Sequence, residues 1–312
     1  MKILITGGAG CLGSNLIEHW LPVGHEICVI DDFTTGKREV VPNVEGLTLV
    51  EGSIVDYELV HNTFQNFRPE VVINAAASYK DPNDWFNDTQ TNVIGSINVA
   101  KVCEEITVNK LINFQTALCY GRPIDVPIPI THPTNPFTSY GISKTAGEEY
   151  LLMSSVPTIS LRLANVTGPR LAIGPIPTFY KRLKANQSCF CSDTRRDFLD
   201  MEDFLDLMDL ILRSEVKTGI FNVSTGKSNS IKDILDNVAL YLGLSNLNVP
   251  IVPAGDDDVV EVVLDPSETY NAFGWKAKFD FDEIIRRQLN WYDKHGVSDV
   301  FSHLKSAINV IE

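Results

Sequence analysis

Lys2-Ile3-Leu4-Ile5-Thr6-Gly7-Gly8-Ala9-Gly10-Cys11-Leu12-Gly13 opens the chain and decides its architecture. Residues 2–6 form a short apolar run with the length and composition of a buried strand, and over 12–21 the apolar residues recur at helical spacing. Between them stand Gly7, Gly10 and Gly13, three apart. Glycine at such places allows a tight turn, close approach of the backbone to a pyrophosphate, and close packing of helix on strand, with the anion at the helix N-terminus. Glycine-rich turns are common, so the reading rests on the strand before and the helix after. Asp31 strengthens it. It ends the next apolar strand, 18 residues after Gly13, where a carboxylate can bind both hydroxyls of an adenosine ribose. Asp32 beside it adds a second negative charge that disfavours a 2′-phosphate, so NAD is expected rather than NADP.

Outward from this turn, strand-like runs at 2–6, 26–31, 47–51 and 70–75 follow one another, with the helical pattern at 12–21 between the first two. A helix around 84–105, an apolar run at 110–114, a helix over 139–153 and a strand over 158–163 continue the alternation. Such a pattern specifies βαβ units, and hence an α/β fold with a Rossmann-type doubly wound parallel sheet. After Gly168 the order loosens into Pro-rich and polar stretches with helical patterns near 177–185, 202–213, 230–242 and 280–293. The expected division is a dinucleotide-binding domain over 1–168 and a smaller C-terminal α/β substrate lobe over 169–312, with a segment of about 196–225 returning to the first. No repeat of solenoid length is present.

A second signature is Tyr140-Gly141-Ile142-Ser143-Lys144. Residues four apart share a helical face, so the Lys144 ammonium can sit beside the phenol and lower a pKa that is about 10 when unperturbed, making a usable general base. Tyr-x-x-x-Lys occurs by chance in many chains. Its position after a dinucleotide turn, about two dozen residues beyond Thr116 at a strand end, marks it as catalytic.

Composition narrows the partners. The 312 residues hold 40 Asp and Glu against 26 Lys and Arg, a formal charge of −14, which on average repels phosphate backbones and anionic lipid. Neither nucleic acid nor a membrane is expected as a partner. The apolar runs fall far short of the roughly 20 residues of a membrane-spanning helix, and the N-terminus runs into glycines where a secretory signal needs an apolar stretch, so a cytoplasmic location is expected. Six scattered cysteines lack the spacing of a disulfide framework. Cys189 and Cys191, two apart, lack two further ligands for zinc, and no metal is expected.

With these pieces in order, the chain resembles the extended short-chain dehydrogenase/reductase superfamily, and within it the NAD-dependent epimerase/dehydratase family acting on nucleotide sugars. The matching segments are the glycine turn, Asn74-Ala75-Ala76-Ala77, Asn92-Val93-Ile94-Gly95, Thr116-Ala117-Leu118-Cys119-Tyr120-Gly121, Tyr140 with Lys144, Arg162-Leu163-Ala164-Asn165-Val166-Thr167-Gly168-Pro169 and Arg196-Asp197-Phe198. The segment Tyr79-Lys80-Asp81-Pro82 and the one leading into Thr116 resemble a branch found in bacterial O-antigen and surface-polysaccharide pathways.

The resemblance implies cofactor contacts from Gly7, Gly10, Cys11, Leu12, Gly13, Asp31, Ser53, Ile54, Ala75, Ala76, Ala77, Asn92, Tyr140 and Lys144. It implies substrate contacts from Lys80, Thr116, Asn165 and Arg196, the last two at the nucleotide diphosphate. Thr116 would hydrogen-bond the reacting sugar oxygen, Tyr140 move its proton, and Lys144 hold the nicotinamide ribose.

Three departures from the family pattern refine this. Ala117 and Leu118 stand where sugar 4,6-dehydratases carry an Asp-Glu pair and decarboxylating relatives a Glu, which leaves epimerisation and carbonyl reduction. Ser53 replaces an Asp that usually meets the adenine amine. Around Val252-Pro253-Ala254-Gly255-Asp256 the usual second diphosphate arginine is missing, and Asp256, Asp257 and Asp258 add negative charge. The expected activity is therefore 4-epimerisation of a nucleotide sugar, UDP-linked, through a transient 4-keto intermediate, by a homodimer. A nucleotide-4-keto-sugar reductase with the same trio is the alternative, and a non-catalytic NAD-binding protein a more distant one.

Overall fold

The computed structural model describes residues 1–245, 247–255 and 258–300. Asp256 and Asp257, read above as part of an acidic turn, lie outside them. In chain order the elements are β1 (Lys2–Thr6), α1 (Cys11–Trp20), β2 (Glu26–Asp31), β3 (Leu47–Glu51), α2 (Tyr57–Phe67), β4 (Val71–Asn74), α3 (Trp85–Asp88), a π-helical segment Thr89–Gly95, α4 (Ser96–Ile106), β5 (Lys110–Thr116), α5 (Ser139–Met153), β6 (Thr158–Leu163), β7 (Asn165–Thr167) and α6 (Pro175–Lys184). Then come β8 (Cys191–Ser192), β9 (Arg195–Arg196), β10 (Phe198–Asp200), α7 (Met201–Arg213), β11 (Gly219–Val223), β12 (Asn229–Ser230), α8 (Ile231–Tyr241), β13 (Ile251–Val252), β14 (Glu261–Val262), α9 (Ser267–Phe273) and α10 (Phe281–His295).

Seven parallel strands run in the order β11-β6-β5-β4-β1-β2-β3. The order reverses between β1 and β4, and the crevice at their carboxyl ends is where such sheets bind ligands. The strands bury both faces. Ile3, Ile5, Ile27 and Val29 pack against Leu16, Ile17 and Trp20 of α1 and Phe204, Leu207 and Ile211 of α7. Leu4, Cys28 and Ile30 pack on the other side against Val60 and Phe64 of α2 and Val99 and Val102 of α4. A separate cluster unites Phe179 and Leu183 of α6, Ile234 and Val238 of α8, and Leu289 and Tyr292 of α10.

Several elements depart from the sequence reading. Helix α2 was not anticipated between the runs at 47–51 and 70–75; its N-cap is Asp56, whose side chain accepts from Leu59 N. The helix expected around 84–105 is interrupted by the π segment Thr89–Gly95. The short α9 and the strand β11, which pairs with β6 from well beyond residue 168, were not resolved in the pattern either.

Candidate active site

A cleft of about 740 Å³ lies over the crevice between β1 and β4. Its floor is the glycine turn. Gly7 has φ +69°, and a Cβ there would stand 2.7 Å from the Ala76 backbone; a Cβ on Gly13 would stand 2.6 Å from Gly7 O. Only glycine lets the turn, the β4 loop and α1 approach so closely. Helix α1 has no side-chain cap and no acidic residue in its first turn, and Gly10 N donates to Gly7 O at 3.1 Å, so the first-turn N–H groups of the cleft-lining Cys11, Leu12 and Gly13 are left as a site for an anion.

Asp31 sits at the end of β2 with Oδ2 accepting from Ala9 N and Oδ1 from Phe33 N, both at 2.8 Å. Burial raises its pKa against those two hydrogen bonds. The side chain thus braces the turn and also lines the cleft. Ser53, Ile54, Ala75, Ala76 and Ala77 line the same groove. Ser53 Oγ accepts from Val55 N at 3.3 Å. Cys11 lines it as well, but burial pushes its thiol up to about 12 and Sγ donates to Pro169 O at 3.4 Å, so it is inert as a nucleophile.

At the far end stand Thr116, Tyr140 and Lys144. Helix α5 begins at its N-cap Thr138, whose hydroxyl accepts from Gly141 N at 3.1 Å. Buried Gln115 bolts this helix to the end of β5: its Nε2 donates to Lys144 O at 3.0 Å and its Oε1 accepts from Thr116 N at 2.7 Å. The Thr116 hydroxyl lies by the Tyr140 phenol and draws its pKa downward. Tyr79 packs edge-on against Tyr140, with ring centroids 6.2 Å apart. Burial lowers Lys144 to about 8, partly offset by Glu148.

One expectation is corrected here. Lys144 was expected to lower the Tyr140 pKa, yet burial first, then Tyr79 and Asp88, raise it, opposed by the Thr116 hydroxyl. Desolvation is the largest cause, because it disfavours the phenolate.

Other residues also sit differently from their expected roles. Asn92 does not line the cleft; it is buried behind it, where Oδ1 accepts from Ser78 N and Nδ2 donates to Ser78 O and Ser143 Oγ, each at 2.9 Å. Arg196 lines the cleft but is occupied: its guanidinium pairs with Asp258 and donates to Val259 O at 2.7 Å. Asn165 is exposed at the rim and donates to Asp197 O at 2.8 Å, and Lys80 is an exposed lining residue. Tyr79, Gln115 and Asp88 contribute to the site without having been expected there; Tyr79 opens the Tyr79–Pro82 segment and Gln115 immediately precedes Thr116, whereas Asp88 lies in no motif. Among the described residues no group of three His, Cys, Asp or Glu could hold a metal, and no helix is long and apolar enough to cross a membrane.

Fold and cleft together define a dinucleotide-binding enzyme in which Thr116, Tyr140 and Lys144 gather at the far end of the cleft. The profile of the NAD dependent epimerase/dehydratase family matches residues 3–224, and the chain belongs to that family. It is similar to the Bordetella bronchiseptica enzyme WbmG, solved in complex with NAD, at 66% identity over 98% of both chains with a TM-score of 0.93. The same enzyme in complex with NAD and UDP matches at a TM-score of 0.92 and 66% identity over 97% of both chains. A putative UDP-glucose 4-epimerase of Methanocaldococcus jannaschii is 30% identical over 308 residues, 93% of this chain and 97% of that protein.

Proposed function

We propose that this protein is an NAD-dependent nucleotide-sugar epimerase that inverts C4 of a UDP-linked sugar, acting in the cytoplasm as a homodimer to supply a surface polysaccharide such as O-antigen. The supporting observation is that Thr116, Tyr140 and Lys144 meet at one end of the glycine-turn cleft, while Ala117 and Leu118 offer no acid or base for eliminating water. The residues fit the cofactor: a cradle that a Cβ would fill, uncapped first-turn N–H groups at the α1 N-terminus, and the Asp31 carboxylate at the end of β2 in the cleft lining. NAD, when bound, supplies reversible hydride acceptance.

The chain's own groups move the proton. The Tyr140 oxygen takes the sugar hydroxyl proton and later returns it, while the Thr116 hydroxyl donates to the same sugar oxygen as it gains carbonyl character. The Lys144 ammonium favours the phenolate once a ligand excludes water. Walls formed by Leu118, Phe198 and Val262 leave room for a keto sugar to turn over between the two half-reactions.

Mass spectrometry of ligands retained on purification, followed by a panel of UDP-sugars, tests the reading. The wild type interconverts C4 epimers with no net NADH consumption, and Tyr140→Phe loses about 10²–10⁴-fold in turnover. Stoichiometric oxidation of NADH by a 4-keto sugar would identify a reductase instead. Undiminished turnover in Tyr140→Phe would exclude both.

A further inference from the structure

Asp88 is the last residue of α3 and 1% exposed. Both of its carboxyl oxygens accept hydroxyl hydrogen bonds, Oδ1 from Ser78 at 2.8 Å and Oδ2 from Ser139 at 2.7 Å, the acceptor-only pattern of an ionised carboxylate. Among the described residues it forms no ion pair. Buried carboxylates are normally paired with a cation, because burial of an uncompensated charge is costly.

The two serines come from different elements, and both adjoin the site. Ser78 lies in the loop after β4, directly before Tyr79, and its Oγ also accepts from Asn87 Nδ2 at 3.0 Å. Ser139 is the first residue of α5, directly before Tyr140. Asn92 closes the circuit through Ser78 and Ser143, and Ser143 Oγ donates to Tyr140 O at 3.1 Å. The groups facing the phenol are Tyr79 from the β4 loop, Asp88 from α3, Thr116 from β5 and Lys144 from α5 itself. Asp88 and Tyr79 act on the phenol in the same direction as burial, all three favouring its protonated form, and Thr116 acts the other way.

We propose that Asp88 is a positioning residue for proton transfer at Tyr140: it clamps the start of α5 to the β4 loop, and its negative charge opposes loss of the phenolic proton. The charge sets when Tyr140 can act as base, and the two serine contacts set where it stands. This rests on the reading of Tyr140 as the proton-transfer group.

The test is the pH profile of kcat for sugar epimerisation by the NAD-loaded enzyme, with Asp88→Asn and Asp88→Glu beside the wild type. Asp88→Asn moves the rising limb of the profile to lower pH by about one unit, the effect of one uncompensated neighbouring charge, and Asp88→Glu returns it toward the wild-type position. A limb unmoved in Asp88→Asn overturns the proposal, whatever happens to the plateau. Should Asp88→Asn fail to fold, Ser139→Ala keeps the charge and removes one anchor. Its limb then stays at or above the wild-type pH while kcat falls, and a wild-type kcat in Ser139→Ala overturns the proposal. If Tyr140→Phe retains turnover, the underlying reading has failed; if Tyr140→Phe is inactive and the Asp88→Asn limb is unmoved, only the role of Asp88 has.

Discussion

Glu148→Gln removes one charge from the most deeply buried ion pair among the described residues. Its partner on β6 is Arg162, and the two side chains are 0% and 5% exposed. Glu148 Oε2 accepts from Arg162 Nη2 at 2.8 Å, and Oε1 accepts from Arg162 Nε at 3.3 Å and from Ser160 Oγ at 2.6 Å. The guanidinium also lies 4.9 Å from the centre of the Tyr120 ring. Glutamine has nearly the same shape, and its amide oxygen still accepts from Ser160, so packing survives; its NH2 then faces Arg162 Nη2, and the charge compensation and that hydrogen bond are lost. A buried cation left without its partner costs about 3–5 kcal/mol. At roughly 2.1 cal/mol/K of unfolding entropy per residue, a chain of 312 residues shifts by about 1.5 °C per kcal/mol, and the unfolding midpoint falls by roughly 5–8 °C. Differential scanning calorimetry of the ligand-free protein at neutral pH reads this directly. The double change Glu148→Leu with Arg162→Met recovers most of the loss, because removing both charges removes the penalty. A midpoint for Glu148→Gln within about 2 °C of the wild type would refute the reasoning. The same variant reaches the active site, since Glu148 is the group that draws Lys144 upward; without it Lys144 loses its proton below pH 8.

Three further outcomes are expected. Gly13→Ala puts a Cβ 2.6 Å from Gly7 O and Gly8 Cα, backbone atoms that cannot rotate away, so overpacking of about 1–3 kcal/mol opens the turn and weakens NAD binding by about 5- to 100-fold in calorimetric titration; an unchanged Kd counts against the cradle. Asp31→Ala narrows the preference for NAD over NADP by roughly tenfold or more, the worth of a hydrogen bond to a charged group, and equal affinities in the wild type would dispose of the assigned role. For Lys144, held at about 8 against an ordinary 10.5, the unfolded chain keeps a proton between those pH values that the folded chain has released. Ligand-free stability therefore rises with pH across that window. Lys144→Met removes the rise and is the more stable protein below pH 8, and parallel melting curves for the two would contradict the burial of the ammonium.

The parts of the molecule that were legible in the sequence are those where one residue type answers one physical demand. Gly7 and Gly13 are glycines because backbone stands where a Cβ would go, and Asp31 ends a strand whose neighbours are all buried. Tyr140 and Lys144 share a helical face by spacing alone. What escaped was set by contacts between distant segments. Helix α2 sets Leu59, Val60, Phe64 and Phe67 on one face against the core shared with α4, a spacing that the polar residues between them mask in the chain. The π segment Thr89–Gly95 leaves no trace in hydrophobic period, yet it places the Asn92 carbonyl where a Cβ on Gly147 of α5 would come within 2.2 Å of it. Asn92 was legible as a motif and misplaced as a contact, because a motif records that a residue is required and not which partner requires it. The raised Tyr140 pKa was hidden for a similar reason: the lysine spacing is visible in the chain, and the desolvation of the phenol is not.

The charge of −14 acquires a sharper meaning from the cleft. Its lining carries Lys80, Lys144 and Arg196 against Asp31, Asp32, Asp81, Asp84 and Asp258, so the acidic excess of the whole chain persists at the one place where two anionic ligands are proposed to bind. Arg196 is already engaged by Asp258 and three backbone carbonyls, and Lys144 lies on α5, one helical turn from Tyr140. The pyrophosphate of the dinucleotide must therefore be held by uncharged donors, the N–H groups of the α1 first turn. These concentrate positive potential within a few ångströms and are weakly felt beyond the turn. Short-range donors of this kind let an acidic protein bind an anion without a basic surface that would also attract nucleic acid or membranes. They also explain why the glycines tolerate no side chain: in this cleft the turn supplies by proximity what basic residues would otherwise supply by charge.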